Sequence, residues 1–495
     1  MELLFDIYYH TKGLELLILL VVPLAASIVL AFVGDRRLAP EINILGSAAT
    51  FVAGLGLAFK VYYEGPMLAG NKFFFVDAFN VYLSVLTAFV SMTTAIFSRR
   101  YMRREREHGR VGHWGMRFYH AMFQLFIFAM LLCLLTNNVG VLWIAMELAT
   151  LSTVLLVSLY RTPTAIEAAW KYFILCGVGI AQALFGTVLL YFAAEKVLGE
   201  GGEALLWTNL RQVSGSLEPT ILSLAFVFLM VGYGTKVGLV PLHNWLPDAH
   251  SEGPTPISAV LSGLLLNVAL YALVRCKVLV EGSTGTHHAG DIMMGFGMLS
   301  ILVAAFSLLR QKDIKRMFSY SSIEHMGIAT FAFGLGTPLA TFGCLLHMLV
   351  HSLAKSSIFF TVGHASQMHR TQDMDRIKGL IKGSPLVGWG LMFGVMAIVG
   401  MPPFGVFTSE FLILTATIKD APLMTPFLLL GLGVAFAALI RRVQSMVFGD
   451  TPSYQKTLKV SHLPVLLHMA LVLAIGIYLP DFLSQWFHKA VELIK

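Results

Sequence analysis

The sequence predicts an all-α membrane protein of about 14 transmembrane helices, arranged as two inverted five-helix repeats. Three observations predict it. Of 495 residues, 57% are hydrophobic and only 13% charged, with mean hydropathy +0.75; a soluble domain has roughly 25% charged residues. Apolar runs of bilayer-spanning length recur along the whole chain. Two of those runs are interrupted by proline, five runs apart, and lie beside ionisable residues.

The runs fall at residues 14–34, 42–62, 76–98, 118–136, 139–160, 165–195, 220–241, 256–279, 290–309, 313–335, 338–364, 385–418, 422–448 and 463–482. The opening stretch, "MELLFDIYYHTKG", lacks the basic region of a signal peptide, so the run after it reads as the first spanning helix. The seventh run breaks at "KVGLVPLHNW" and the twelfth at "GMPPFGVFTSE". An offset of five spans inverts orientation, so runs four to eight and nine to thirteen read as inverted repeats. Paired broken helices of this kind point to an ion path at the membrane midplane, and unwound backbone at that depth needs protein or trapped water to satisfy it. An ordinary proline kink in each helix is the simpler alternative. The divisions follow: 1–117, N-terminal helices and a basic loop; 118–280, first repeat; 281–448, second repeat; 449–495, the C-terminal helix.

Charge sets the sidedness. Connections after odd-numbered runs, together with the run ends that adjoin them, hold 22 of the 35 Lys and Arg residues, seven of them in "RRYMRREREHGRVGHWGMR", and connections after even-numbered runs, counted in the same way, hold 7. Three more lie near the termini (Lys12, Lys489, Lys495) and three inside runs and not assigned to a connection (Lys171, Lys236, Lys355). The positive-inside rule places the odd connections in the cytoplasm and both termini outside. The net charge of +7 is therefore explained by topology and does not indicate nucleic-acid binding; the Arg-rich loop is a topology anchor, with a lipid- or partner-binding patch as the alternative. The four cysteines, Cys133, Cys176, Cys276 and Cys344, form no CxxC pair, which excludes a closely ligated iron–sulfur cluster. No nucleotide-binding loop or nucleophile elbow is present. The expected cofactor complement is none.

An ionisable group near the bilayer centre costs at least about 2.5–3.5 kcal/mol, so each one asks for a function or a partner. Glu147, in "VLWIAMELATLSTVLL", has no cation on its own helix; Lys236 of the seventh run is its candidate partner. A pair whose separation changes takes up and releases a proton, and a static ion pair is the alternative. His347, His351 and Lys355 recur every four residues and share one helical face, as a proton wire would require. Metal ligation by the two histidines is disfavoured because no carboxylate is near in sequence and a lysine follows, so no metal is expected; a satisfied pair of core histidines is the other alternative. Glu410, just after the second break, reads as the end of the path or as a helix-capping carboxylate. Glu324, His325 and Lys171 are weaker candidates, Lys171 reading as a snorkelling lysine.

"TKVGLVPLHNWLPDAHSEGPTPISAVLSG", "DIKRMFSYSSIEHMGIA" and the His-His-Lys column resemble the antiporter-like membrane subunits shared by complex I, Mrp cation/proton antiporters and group 4 membrane-bound hydrogenases. The resemblance covers about runs three to thirteen, and "EAAWKYFILCGVGIAQALFGTVLLYFAA" looks most like the hydrogenase-4 component F (formate hydrogenlyase) branch. It implies fourteen helices, a lateral hydrophilic axis, and roles for Glu147, Lys236, Lys355 and Glu410 in that axis. One departure concerns the bridge between the halves, where relatives carry Lys or His: this chain offers Asn267, with Ser262 a turn away, so water would complete the bridge. His243, Asp248 and His250 are candidates for cytoplasmic proton access. The resemblance implies a proton-translocating, non-catalytic, cofactor-free subunit of a redox-driven oxidoreductase complex in a prokaryotic inner membrane. Its partners would be other membrane subunits, a hydrogenase-like or complex I-like peripheral arm, lipids, and protons, with Na⁺ as the alternative ion. Rival readings are an Mrp-type Na⁺/H⁺ antiporter subunit, an energy-coupling subunit for inorganic carbon uptake, and a structural anchor with an inactive path. The chain also ends after the fourteenth run, without the long lateral helix of the longest relatives.

Overall fold

A computed structural model describes residues 13–450 and 461–494; Lys12 and Lys495, used above for sidedness, and most of the connection before the last run lie outside them. The long helices are α1 (Leu14–Val33), α2 (Ala39–Glu64), α3 (Ala78–Glu107), α4 (His113–Leu135), α5 (Val139–Val157), α6 (Pro163–Leu198) and α7 (Pro219–Val237), followed by the short α8 (Trp245–Glu252). Then come α9 (Thr255–Thr284), α10 (His288–Leu308), α11 (Ile314–Leu335), α12 (Pro338–His369), α13 (Pro385–Ile398), α14 (Gly405–Asp420), α15 (Thr425–Phe448), α16 (Leu463–Ile477) and α17 (Asp481–Ile494). A hairpin of two three-residue strands, β1 (Met67–Ala69) and β2 (Phe74–Val76), joins α2 to α3.

All fourteen expected runs are helical, but fewer pass as spans on length and apolarity alone. Among the described residues eleven helices do, or twelve if the bent pair α16–α17 is one span. Charged and polar residues keep α11 from qualifying, and the twelfth run is two pieces, α13 and α14, of 14 and 16 residues. The last run does not reach residue 482 as a straight helix: it stops at Ile477 and bends by 81° into α17. The helix ends at an extended Tyr478, and Pro480 two residues on cannot continue it; α17 is anchored by the Trp486 indole, which donates to the Ala78 carbonyl (2.7 Å).

Local chemistry explains where the helices start and stop. Asp77 and Asn80 form a reciprocal capping box on α3. Thr162 and Thr337 cap α6 and α12, each with proline at the first helical position. Glycines with left-handed φ end α7 (Gly238) and α11 (Gly336).

The burial pattern is that of a bundle in lipid. The helices α9 and α12 are buried almost throughout, whereas α1, α2 and α15 show most of their surface to the outside. That surface carries Leu17, Phe32, Phe59, Phe427 and many similar side chains. Inside, helices approach at small residues: a Cβ on Gly297 would collide with the backbone of Gly327 and Phe331, which brings α10 and α11 together.

The same set of neighbours occurs twice. α4 packs on α5, α5 on α6, and α6 on α7; α10 packs on α11, α11 on α12, and α12 on both α13 and α14. Connections after odd-numbered runs meet on one face. There Ile314 donates to the Gln372 carbonyl (2.9 Å), and Lys315 donates to the carbonyls of Ser251 and Gly253 (2.8 and 2.6 Å). Connections after even-numbered runs meet on the other, where Asn137 bonds the Lys72 carbonyl and Thr208 (both 2.9 Å).

Some cations counted above with the adjoining connections are inside the protein, among them Arg275 and Lys277 near the end of the eighth run, both buried in α9. The Arg275 guanidinium pairs with Asp77 (2.6 Å) and lies over the rings of Trp207, Tyr271, Phe75 and Phe79. Two buried charges held this closely are sustained only as a pair.

Candidate functional site

Two clusters of buried ionisable residues form, one where α5, α6 and α7 meet and one where α11, α12 and α14 meet, with α9 packed between α7 and α12. The first centres on Lys236, fully buried in the last turn of α7. A cation there is favoured by the carbonyl end of the helix dipole. The ammonium donates to Thr150 of α5 and lies 5.5 Å from the Tyr172 ring. Tyr172 is held by Thr153 (2.7 Å) and stacks on Trp245, whose indole donates to the Thr235 carbonyl (2.8 Å). Trp245 opens α8, so the break after α7 brings α8 back over the lysine.

Glu147 lies one turn before Thr150 on α5, as expected, but the direct ion pair with Lys236 does not form. Among the described residues no cation lies within ion-pair distance of the Glu147 carboxylate, and one of its buried oxygens has no protein partner. The Thr150 hydroxyl takes the intermediate place. Cys176 also adjoins Lys236; all four cysteines are buried and free.

The three residues expected at the access side separate. Asp248 is near the surface, paired with Lys171 (3.2 Å) and with Arg316. With Glu167 they edge a cavity of about 530 Å³. Lys171 is half-exposed in this cluster, consistent with its reading as an interfacial lysine. His243 lies deeper, facing Tyr320 at 6.2 Å. His250 is not at an opening: it is fully buried, stacked on Phe359 at 5.1 Å, with neither ring nitrogen bonded to protein. α8 is amphipathic, and position 250 falls on its inward side.

The second cluster holds His325 and Glu324 of α11, His347, His351 and Lys355 of α12, and Ser409 and Glu410 of α14. The rings of His347 and His351 are parallel with centroids 6.1 Å apart, so the four-residue spacing does place them on one face. His325 packs against both, at 5.1 and 5.3 Å. Lys355 is fully buried and donates to the Phe318 carbonyl (3.0 Å). Glu410 is not a cap: Phe404 precedes the first turn of α14, and Glu410 lies in the second turn. Its carboxylate reaches back across the break, where a Cβ at Gly400 would collide with it; Gly400 has φ +68°.

The expectation that no carboxylate joins the histidines is overturned. His325, His347 and Glu410 each place a potential ligand atom within 4.8 Å of the others. His325 and Glu410 come from different helices, so neither was visible from the spacing in α12.

Between the clusters, α9 contains one π turn, Leu261–Leu265. Such a turn frees a backbone carbonyl, and here Gly263 accepts from Ser352 of α12 (2.5 Å). Asn267 donates to the same Ser352 (2.8 Å), and Ser262 bonds Ser322 of α11 (2.7 Å). Asn267 and Ser262 therefore stand where α9 meets α12 and α11. Sequence reasoning missed Thr150, Tyr172, Ser352 and Ser409. A hydroxyl three residues after Glu147, and one beside Glu410, were the available signals for Thr150 and Ser409. The other two required the fold.

The transmembrane family model described as NADH:quinone oxidoreductase/Mrp antiporter matches residues 136–440, the span of both clusters. A hydrogenase-4 component F homolog from Methylacidiphilum infernorum is 47% identical over 473 residues, covering 96% of this chain and 98% of that protein. A chain of the archaeal membrane-bound sulfane sulfur reductase superposes with TM-score 0.87 at 24% identity, over 98% of each chain. A chain of the Mrp complex from Dietzia sp. superposes with TM-score 0.84 at 16% identity, again over 98% of each. The chain belongs to the NADH:quinone oxidoreductase/Mrp antiporter family, as an antiporter-like, membrane-embedded subunit of the complex I and group 4 hydrogenase type.

Proposed function

We propose that the chain carries protons along a buried axis from Glu147, through Thr150 and Lys236, past the Ser262 and Asn267 crossing, to Lys355, His351, His347, His325 and Glu410. The observation that carries this reading is a pair of buried ionisable clusters with polar groups of α9 between them. Titratable side chains on α5, α7, α11, α12 and α14 flank hydroxyl, amide and π-turn groups of α9 and α12, in a bundle whose outside is apolar. Buried polar atoms without protein partners line the same axis: a Glu147 oxygen, the Asn267 and Glu324 oxygens, and both nitrogens of His351 and His250. Buried polar groups of this kind are ordinarily satisfied by internal water, the medium a proton relay needs.

The two units, 118–280 and 281–448, act as inverted repeats around this axis, each with one broken helix. The subunit itself is non-catalytic and holds no redox cofactor. Its partners are further membrane subunits and a hydrogenase-like peripheral arm, a proposal supported by the likeness to the hydrogenase-4 component F homolog. It resides in a prokaryotic inner membrane, with the Arg-rich connection between α3 and α4 in the cytoplasm and both termini outside.

Reconstituted vesicles containing the assembled complex test the role of Glu147. Glu147→Gln keeps shape and polarity but cannot carry a proton, so pumping per assembled complex should fall at least tenfold while assembly stays normal. Poor assembly with undiminished pumping by the surviving complex assigns Glu147 a static structural role instead. Proton movement that requires Na⁺ on the opposite side assigns the Mrp-type antiport reading.

A further inference from the structure

The contact between His325 and His347 is unusual in what faces what. His325 Nδ1 lies 3.1 Å from His347 Nε2. The other nitrogen of His347, Nδ1, lies 2.9 Å from the Ser409 hydroxyl. Ser409 donates its own proton to the Val406 carbonyl (2.8 Å), so toward His347 it accepts. His347 therefore carries its hydrogen on Nδ1 and presents a lone pair at Nε2.

His325 Nδ1 faces that lone pair, and the Glu410 carboxylate lies 3.9 Å from the same His325 nitrogen. Three potential ligand atoms thus converge within 4.8 Å of one another. Either a hydrogen on His325 Nδ1 or a metal ion satisfies the His347 lone pair.

The geometry points to a divalent metal site of the Zn²⁺ class formed by His325 Nδ1, His347 Nε2 and the Glu410 carboxylate, a site that competes with protons at the end of the axis. Two imidazoles and a carboxylate are a borderline donor set that suits Zn²⁺, with a fourth position left open. Zinc–ligand bonds of about 2.0–2.1 Å put tetrahedral ligand atoms about 3.3 Å apart, against 3.1 Å and 3.9 Å here. The outward nitrogen of His347 is already held by Ser409, the hydrogen bonding that orients metal-bound histidines. Glu324 adds a second carboxylate within electrostatic range of Glu410. The Glu410 side chain is 11% exposed, so the set is approachable from that end.

The test is metal binding itself and does not depend on proton translocation. The full chain, purified in detergent and stripped with chelator, is titrated with Zn²⁺ against a fluorescent zinc chelator, and with Co²⁺ for its tetrahedral absorption. We expect one equivalent, and a loss of affinity of at least tenfold in each of His325→Gln, His347→Gln and Glu410→Gln. Ser409→Ala leaves every ligand in place and should weaken binding about 10–100-fold, which guards against variants that merely misfold. His351→Gln should change affinity less than twofold. Absence of a stoichiometric site overturns the proposal. So does zinc held equally well by the His325→Gln and Glu410→Gln chains, or a loss in His351→Gln matching that in His325→Gln, which would place the metal on the α12 pair alone.

Discussion

Thr150 shows how one hydroxyl can replace a contact that charge alone suggests. A buried ammonium and a carboxylate two helices apart invite a direct pair, yet Lys236 donates to Thr150 while Glu147 stays one turn away. Thr150→Val keeps the side-chain shape and removes the acceptor. Hydrogen bonds to charged groups contribute about 1.5–3 kcal/mol, so this variant should lose that much stability in detergent and transfer protons roughly 10–100-fold more slowly, with Thr150→Ser restoring both. Thermal unfolding and vesicle pumping measure the two effects; a silent Thr150→Val would remove the hydroxyl from the path. Outside the membrane, Asp35 in the α1–α2 connection bonds the Arg117 guanidinium (2.7 and 3.3 Å), which holds its carboxyl down at about 2. A carboxylate with a depressed folded-state pKa stabilises above its ordinary value near 3.9 and loses that contribution as pH falls through the folded-state value. The melting-temperature difference between wild type and Asp35→Asn should therefore be present at pH 5 and shrink toward pH 2. A difference independent of pH would mean that shape, not charge, explains it. At this scale the sequence was informative wherever a charge stood in an apolar run, and silent about the neutral hydroxyls that hold those charges.

Among elements, the broken helices were legible because proline and glycine leave a local mark: α7 ends at Gly238, and α13 and α14 are separated by Pro402 and Pro403. The π turn in α9 was not, since no residue type in Leu261–Leu265 demands it; it forms where the Gly263 carbonyl meets Ser352 of a neighbouring helix. The same is true of the C-terminal half of α9, where Arg275 looked like a loop cation and is instead paired with Asp77 at the start of α3. That pair ties α9 to the start of α3. Breaking a buried pair from one side costs about 3–5 kcal/mol, because the remaining charge is stranded. Arg275→Met should therefore lower stability by about that amount, and combining it with Asp77→Asn, which still caps α3, should recover most of the loss. Thermal unfolding of the two variants in detergent decides it; a double variant worse than Arg275→Met alone would show that the charges are not simply compensating each other.

For the whole molecule, the count of basic residues on alternate connections agrees with the way the structure gathers those connections onto two faces. Single cysteines placed in the α3–α4 connection and in the α12–α13 connection should react only with reagent supplied from the cytoplasmic side. Cysteines in the β1–β2 hairpin and near Glu203 should react only from outside. Labelling of both sets from one side would overturn the sidedness. Apolar run length, proline placement and isolated charges determined the class of fold, the number of helical runs, the paired breaks and most of the buried ionisable residues, because lipid requires long apolar helices and penalises any charge that lacks a purpose. Only the tertiary structure decided which of those groups meet. It put Thr150 between Glu147 and Lys236, buried His250, and brought His325 and Glu410 onto the α12 histidines. Those contacts join helices tens to hundreds of residues apart, and the angle at which two apolar surfaces pack is set by the shapes of all their side chains together, which no local pattern records.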